Sequence, residues 1–326
     1  MRQLVRAGFV CRVRPFSLWQ GRQIVAVTAP EETSREPRSR LLKLLRRWLR
    51  HHPGLRSKHG ASLALDILSE NGIAEVAVRR QDGRLVHLAT DDKVIAPGVI
   101  RHGTFSPEIM ASFAALLRQS GIDPAELTFV NVGANIGTAC LNAYDAGFRS
   151  LVAIEPEPRN FRLLSLNLAE LPGAEVRLIE AAVGASKSRL ALHRHARNMG
   201  AHSLVATSHA SPGDDQIEVA VEPLASLIEA EVPFALFVDV EGFEPQVLRG
   251  AAGLLQKSCR ALALEITPNK YTPADADDLA RRIADFGGNI SLLPSGTRQP
   301  AASLPRLMAE KRQGHFDIAV VRGSAA

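Results

Sequence analysis

Thr128-Phe129-Val130-Asn131-Val132-Gly133-Ala134-Asn135-Ile136-Gly137 is the run on which the reading of this chain turns. Its first five residues form an apolar strand, glycines follow at 133 and 137, and helical spacing begins at once over Thr138–Asp145. A strand that passes through a glycine turn straight into a helix opens a βαβ unit. Gly133 lets the backbone turn sharply and approach a ligand. Gly137 permits close contact where the helix opens, and the free N–H groups there face a crevice. A nucleoside is the natural occupant, although many strand-to-helix turns need glycine for geometry alone.

Working outward, apolar strands alternate with helices. After the first pair come strand Ser150–Glu155, helix Pro158–Ala169 and strand Val176–Ile179. Further on are strand Ala235–Val240, helix Pro245–Leu255, strand Ala261–Ile266, helix Pro273–Phe286, strand Asn289–Leu293 and strand Phe316–Val321. Continuous apolar strands in strict alternation with helices predict a doubly wound α/β fold, with a mostly parallel seven-stranded sheet and an antiparallel last strand. Residues 186–221 break the rhythm with short strands at Arg189–His193 and Ile217–Val221, read as an insertion over the carboxyl edge of the sheet. Before the alternation, residues 59–125 predict a small α+β preface: helix Ala61–Glu70, a hairpin of Glu75–Arg80 and Leu85–Ala89 through Asp82-Gly83, and helix Pro107–Ser120. Residues 1–58 read as a basic, partly disordered extension in which Leu41–Arg50 sets leucines opposite cations as a short amphipathic helix. The domain that carries the chemistry is then 126–326.

The 326 residues suffice for a large core without staples, and 46% hydrophobic with 22% charged residues is the composition of a soluble globular protein. The net charge of +5 is uneven: residues 1–60 carry 14 Lys+Arg and 3 Asp+Glu, leaving 25 and 31 for the rest, or +11 against −6. An acidic body is not built to track phosphates, so nucleic acid is not the expected substrate. No apolar run reaches membrane-spanning length and no export signal is read, while Cys11, Cys140 and Cys259 are too scattered for a disulfide framework. A cytoplasmic protein is expected. The Leu41–Arg50 helix either docks on its own domain or lies at the inner membrane face as a peripheral contact.

Three strand ends define the candidate site. The second strand ends in Glu155, followed by Pro156-Glu157-Pro158, and an acid there can accept from both hydroxyls of a ribose or else serve as a helix-start acid. The third leads to Ala181-Ala182-Val183-Gly184, small and apolar enough for a flat base. The fourth delivers Asp239-Val240-Glu241. Two acids at i and i+2 of a regular strand share a face, and could divide the alignment of an acceptor and removal of its proton, or could bond backbone N–H groups in their own loop. In the insertion, His202 is a candidate for proton handling. His193-Arg194-His195 lacks the third ligand of a metal site, so no metal is expected. Glu265 ends the fifth strand facing the crevice.

The runs Val132–Gly137, Ile154–Phe161, Ala181–Gly184 and Val238-Asp239-Val240-Glu241-Gly242-Phe243-Glu244-Pro245-Gln246-Val247-Leu248-Arg249-Gly250-Ala251 together resemble the FkbM family of S-adenosylmethionine-dependent methyltransferases, over about Phe129 to Thr267. The resemblance implies a class I methyltransferase fold and methyl transfer, usually to a hydroxyl of a sugar, glycan, lipid or secondary metabolite. It implies that Gly133, Asn135 and Gly137 line the methionine end of the cofactor, that Glu155 holds the ribose, and that Ala182-Val183 borders the adenine. Ala134 and Pro156 lie in the same runs and are counted with the cofactor-binding residues, as is Asn131. The family usually has Asp where this chain has Asn131, which keeps an acceptor and removes a charge. Asp239 is expected as base or acceptor clamp, with Glu241 in support. The competing readings are a domain that binds the cofactor without catalysis and a nicotinamide-dependent oxidoreductase; the second normally shows Gly-x-Gly-x-x-Gly, which is missing here.

Overall fold

Residues 16–19, 22–27, 58–205 and 215–322 are described by the computed structural model, and they fall into two units, 1–105 and 106–326. In the first, strands β1 (Phe16–Trp19), β2 (Arg22–Val27), β3 (Glu75–Arg79) and β4 (Leu85–Ala89) form an antiparallel sheet in that order, with helices α1 (Lys58–Glu70) and α2 (Ile95–His102). The β3–β4 hairpin turns at Gly83, φ +88°, as Asp82-Gly83 predicts. Buried Asp92 starts α2: its carboxylate accepts from the backbone of Val94 (3.0 Å) and Ala96 (2.8 Å). Strands β1 and β2 fall within residues 1–58, read from the sequence as a basic, partly disordered extension; Gln23–Val27 is an apolar, β-branched run among charged neighbours. Residues 41–50, read as an amphipathic helix, lie outside the described residues.

The second unit begins with α3 (Pro107–Gln119), which periodicity alone assigns to the preface. Its buried Met110, Phe113, Ala114 and Leu117 explain the difference, because they pack on the first helix and last strands of the α/β sheet. The chain continues through β5 (Thr128–Val132), α4 (Thr138–Asp145), β6 (Ser150–Ile154), α5 (Pro158–Leu168), β7 (Glu175–Ile179), β8 (Ala182–Val183), β9 (Ser188–Arg194) and β10 (Asp215–Glu222). There follow α6 (Leu224–Leu227), β11 (Phe234–Val238), α7 (Glu244–Gly250), α8 (Ala252–Lys257), β12 (Cys259–Ile266), α9 (Pro273–Phe286), β13 (Asn289–Leu293), β14 (Thr297–Pro300), α10 (Leu304–Glu310) and β15 (Phe316–Val321). The helix expected at Pro245–Leu255 is two. It breaks next to Gly250, where a Cβ would lie 2.0 Å from the carbonyl oxygen of Gly184.

The large sheet runs β14-β13-β15-β12-β11-β5-β6-β7. Apart from β14, the chain order of its strands is 6-7-5-4-1-2-3. Strands β5, β6, β7, β11 and β12 are parallel, and β15 inserts antiparallel between β12 and β13. This is the class I methyltransferase arrangement, extended by the unforeseen edge strand β14. The order reverses between β5 and β11, so a crevice opens at their carboxyl ends, where open α/β sheets bind ligands. Val130 and Val132 pair with Leu236 and Val238 in the main core under α6 to α9. On the other face Phe129 packs on Phe148 and Phe237, ring centroids 5.1 and 6.0 Å away. The insertion is a separate three-stranded sheet, β8-β10-β9. Among the described residues no helix is long and apolar enough to cross a membrane.

Candidate functional site

The turn after β5 is fixed by close approach. Gly133 has φ +82°, and a Cβ on it would lie 1.8 Å from the carbonyl oxygen of Asp239, so the loops after β5 and β11 touch at their backbones. Gly137 has φ +92°, with a Cβ placed 2.8 Å from Leu164 Cδ1, which lets α4 start against α5. Between them Ala134 is buried and Asn135 is left-handed, φ +50°. Asn131 lies beneath this turn: it is fully buried, its Nδ2 points at Cys140 Sγ (3.5 Å) and its Oδ1 has no hydrogen-bond partner. Burial pushes the Cys140 thiol up to about 12, so the neighbour is uncharged. Such a place supports a role under the turn and not a direct hold on a ligand.

Glu155 is 5% exposed and lies where the sequence puts it, but its oxygens are already engaged. Oε2 accepts from Asn135 N (2.8 Å) and Oε1 from Glu157 N (2.9 Å). Burial outweighs these bonds and lifts its pKa to about 7. The Asn160 side chain also hydrogen-bonds Glu155, which leaves the carboxylate one lone pair for a hydroxyl donor. Pro156 separates Glu155 from Glu157, which is the acid that starts the helix: its Oε2 accepts from Asn160 N (2.6 Å), while Oε1 accepts from Arg194 (3.1 Å). Asn160 is 1% exposed and its Oδ1 has no partner. Ala182 and Val183 are buried in β8, parallel to β10, and so form a wall after β7. A touching glycine backbone, a strand-end carboxylate and an unspent buried acceptor fit a ligand that carries a ribose.

At the other side of the switch point, β11 ends at Val238 and the chain leaves the strand: Glu241 has φ +55° and Gly242 φ +105°. The i, i+2 geometry of a regular strand therefore does not apply, yet oxygens of Asp239, Glu241 and Glu265 all come within 4.8 Å of one another. Oxygens this close can by distance grip a cation; here the ammonium of Lys270 binds Glu241, and Asp239 lies against Glu265. Burial, and then the charge of Glu265, raises the Asp239 pKa well above the carboxylate range, while burial lifts Glu265 to about 7. His315 Nε2 lies 3.5 Å from Glu265.

The backbone-bonding role open to Asp239 and Glu241 falls instead to Glu244. Fully buried, its Oε1 accepts from Val240 N (3.3 Å) and Gly242 N (3.1 Å), and its Oε2 from the Tyr271 hydroxyl (2.8 Å). Burial brings its pKa to about 7. An acid directly before a proline at a helix start, Glu244-Pro245 like Glu157-Pro158, was the available signal. Tyr271 and Lys270 gave none, because a short helical turn after β12 carries them across.

His202 does not suit proton handling. Its Nδ1 accepts from His195 N (3.0 Å), burial lowers its pKa to about 4, and the charges acting on it most are Glu157, Arg194, His195 and Asp215. It is a neutral imidazole with its basic nitrogen occupied. Arg194 beside it bridges Glu157 and Asp215.

Residues 131–288 match the methyltransferase FkbM domain family. A search of curated protein sequences found no match. Among solved structures the chain is similar to a SAM-dependent methyltransferase from Agrobacterium tumefaciens (12% identity, 73% of this chain and 66% of that one, TM-score 0.38). It is also similar to magnesium protoporphyrin IX methyltransferase from Synechocystis PCC 6803 with bound SAM (12%, 69% and 83%, 0.36) and to precorrin-6y C5,15-methyltransferase from Geobacter metallireducens GS-15 (11%, 65% and 87%, 0.35).

Proposed function

We propose that this protein transfers a methyl group from S-adenosylmethionine to a hydroxyl of a sugar, glycan, lipid or secondary metabolite; the match of residues 131–288 to the methyltransferase FkbM domain family supports this reading. The observation that carries the reading is the convergence of three strand ends: Gly133 abuts the carbonyl of Asp239, and Glu155 bonds the turn that Gly133 opens. Bound there, the cofactor supplies an electrophilic methyl group. The chain itself must hold the ribose through Glu155, align the acceptor, and receive its proton. Asp239 in its ionised form suits the role of proton acceptor, because burial and then the charge of Glu265 raise its proton affinity above that of an ordinary carboxylate. Glu241, pinned by Lys270, supports the acceptor side.

Calorimetric titration with S-adenosylmethionine and with NADH tests the cofactor: binding of the first and not the second is expected, and the reverse would remove the methyltransferase reading. Comparing metabolites of a deletion strain and its parent for a lost methyl increment tests the acceptor class. Peripheral membrane contact rests on Leu41–Arg50 alone; unchanged liposome sedimentation after removal of residues 1–58 would dispose of it.

A further inference from the structure

The segment that follows β9 does more than connect. Asn198 braces it, with Oδ1 accepting from Gly200 N (3.0 Å) and its carbonyl from Ala201 N (3.1 Å). Ser203 exchanges backbone hydrogen bonds with His193 (2.9 and 3.0 Å). At one end the Met199 carbonyl accepts from both Asn135 Nδ2 (2.6 Å) and Asn160 Nδ2 (3.1 Å). At the other, the Ser203 hydroxyl, on a residue 2% exposed, donates to the carbonyl of Glu241 (2.7 Å).

These anchor points share a property. Among the described residues, non-glycine residues with positive φ are Ser106, Asn135 and Glu241. The last two head the loops after β5 and β11, one at each side of the crevice. A left-handed backbone on such residues costs about 1 kcal/mol or more and persists where the surroundings over-determine it. The segment supplies that constraint to both: it grips Asn135 by its side chain and Glu241 by its carbonyl. Asn135 is also the residue whose N–H lies on Glu155, and Asn160 keeps an unpartnered buried Oδ1 behind the same carbonyl.

We propose that Met199–Ser203 is a strap that couples the ribose-binding end of the site to the reacting end, with Ser203 as a positioning residue. It rests on the cofactor reading above. A ligand engaging Glu155 fixes Asn135; Asn135 and Asn160 fix Met199; Ser203 then holds the Glu241 turn that neighbours Asp239. The acceptor side is thereby ordered after the cofactor is seated, and by linkage the coupling works in both directions.

The test uses the full chain with S-adenosylhomocysteine as probe, following affinity by calorimetry and ordering by amide hydrogen exchange. In the parent, the probe should slow exchange over residues 131–137 and also over 239–243. In Ser203→Ala the first protection should remain and the second be lost, with affinity reduced no more than about ten-fold, the scale of one hydrogen bond. Ser203→Thr, which keeps the hydroxyl, should restore it. Should Ser203→Ala not fold, Ser203→Cys retains the size with a weak donor. Equal protection of 239–243 in parent and Ser203→Ala would overturn the coupling while leaving the cofactor reading intact. Absence of any binding by the parent would overturn both.

Discussion

The two sides of the crevice give their carboxylates different partners. On the β6 side, Glu155 and Glu157 face backbone N–H groups and the Arg194 guanidinium, so each has donors of its own. On the β11 side, oxygens of Asp239, Glu241 and Glu265 come within 4.8 Å of one another, and the Lys270 ammonium pairs with Glu241. Burial raises Glu155 and Glu265 alike, to about 7, but backbone donors fix Glu155, whereas Asp239 is raised further by the charge of Glu265 and Glu265 by that of Glu241. Acids in equivalent places, at neighbouring strand ends, thus differ in what surrounds them, and that difference supports the binding and reacting roles proposed for them.

Replacing a group on each side should break that contrast in different observables. Asp239→Asn is expected to lower turnover by about two to four orders of magnitude, the range for loss of a general base, with S-adenosylmethionine affinity little changed. Equal turnover in labelled-methyl transfer to the acceptor would take Asp239 out of the chemistry. Gly133→Ala should cost about 3 kcal/mol or more, because a Cβ would meet the Asp239 carbonyl as well as a positive φ. Gly83→Ala has the same backbone sign but nothing within 4 Å, so about 1 kcal/mol is expected there. Thermal unfolding of the two variants separates crowding from backbone strain, and similar losses would contradict the close approach at Gly133.

Glu155→Ala should do the reverse of Asp239→Asn. Cofactor affinity should fall about ten- to hundred-fold, the scale of one or two hydrogen bonds to a charged group, read by calorimetry, with less effect on the turnover of saturated enzyme. The smallest effect concerns pH. The folded-state pKa of Glu244, about 7, is raised above its usual 4.5. The stability tied to its protonated form is complete below about 4.5 and lost as pH rises through 7, by at most about 1.4 kcal/mol per pH unit. Glu244→Gln has no such proton, so its melting temperature should fall less than the parent's between pH 5 and 8. Parallel curves would mean that Glu244 is not buried as a coupled acid.

Much of the fold was legible because its signals are local. Strands Thr128–Val132, Asn289–Leu293 and Phe316–Val321 and helices Thr138–Asp145 and Pro273–Phe286 occur where periodicity places them. Strands β1 and β2 were missed because short apolar runs among charged residues show little contrast, and α3 was grouped with the preface because periodicity says that a face is buried and not against what. In the site, glycine spacing and strand-end position led to Gly133, Glu155 and Asp239. The same reasoning overvalued His202, whose neutrality is a consequence of burial, and passed over Asn160, Ser203 and Tyr271, whose partners lie 27 to 39 residues away.

By itself, then, the order of residues determined the alternation of strands and helices, the place of the glycine turn and the family likeness, since each depends on neighbours within a few positions. Only the tertiary structure decided which acids meet backbone donors and which meet other acids, that Asn131 lies beneath the turn, and that Met199–Ser203 spans from Asn135 to Glu241. Desolvation, like-charge proximity and a strap between two loops are set by what folds up against a residue, and that information is carried by no short stretch of the chain.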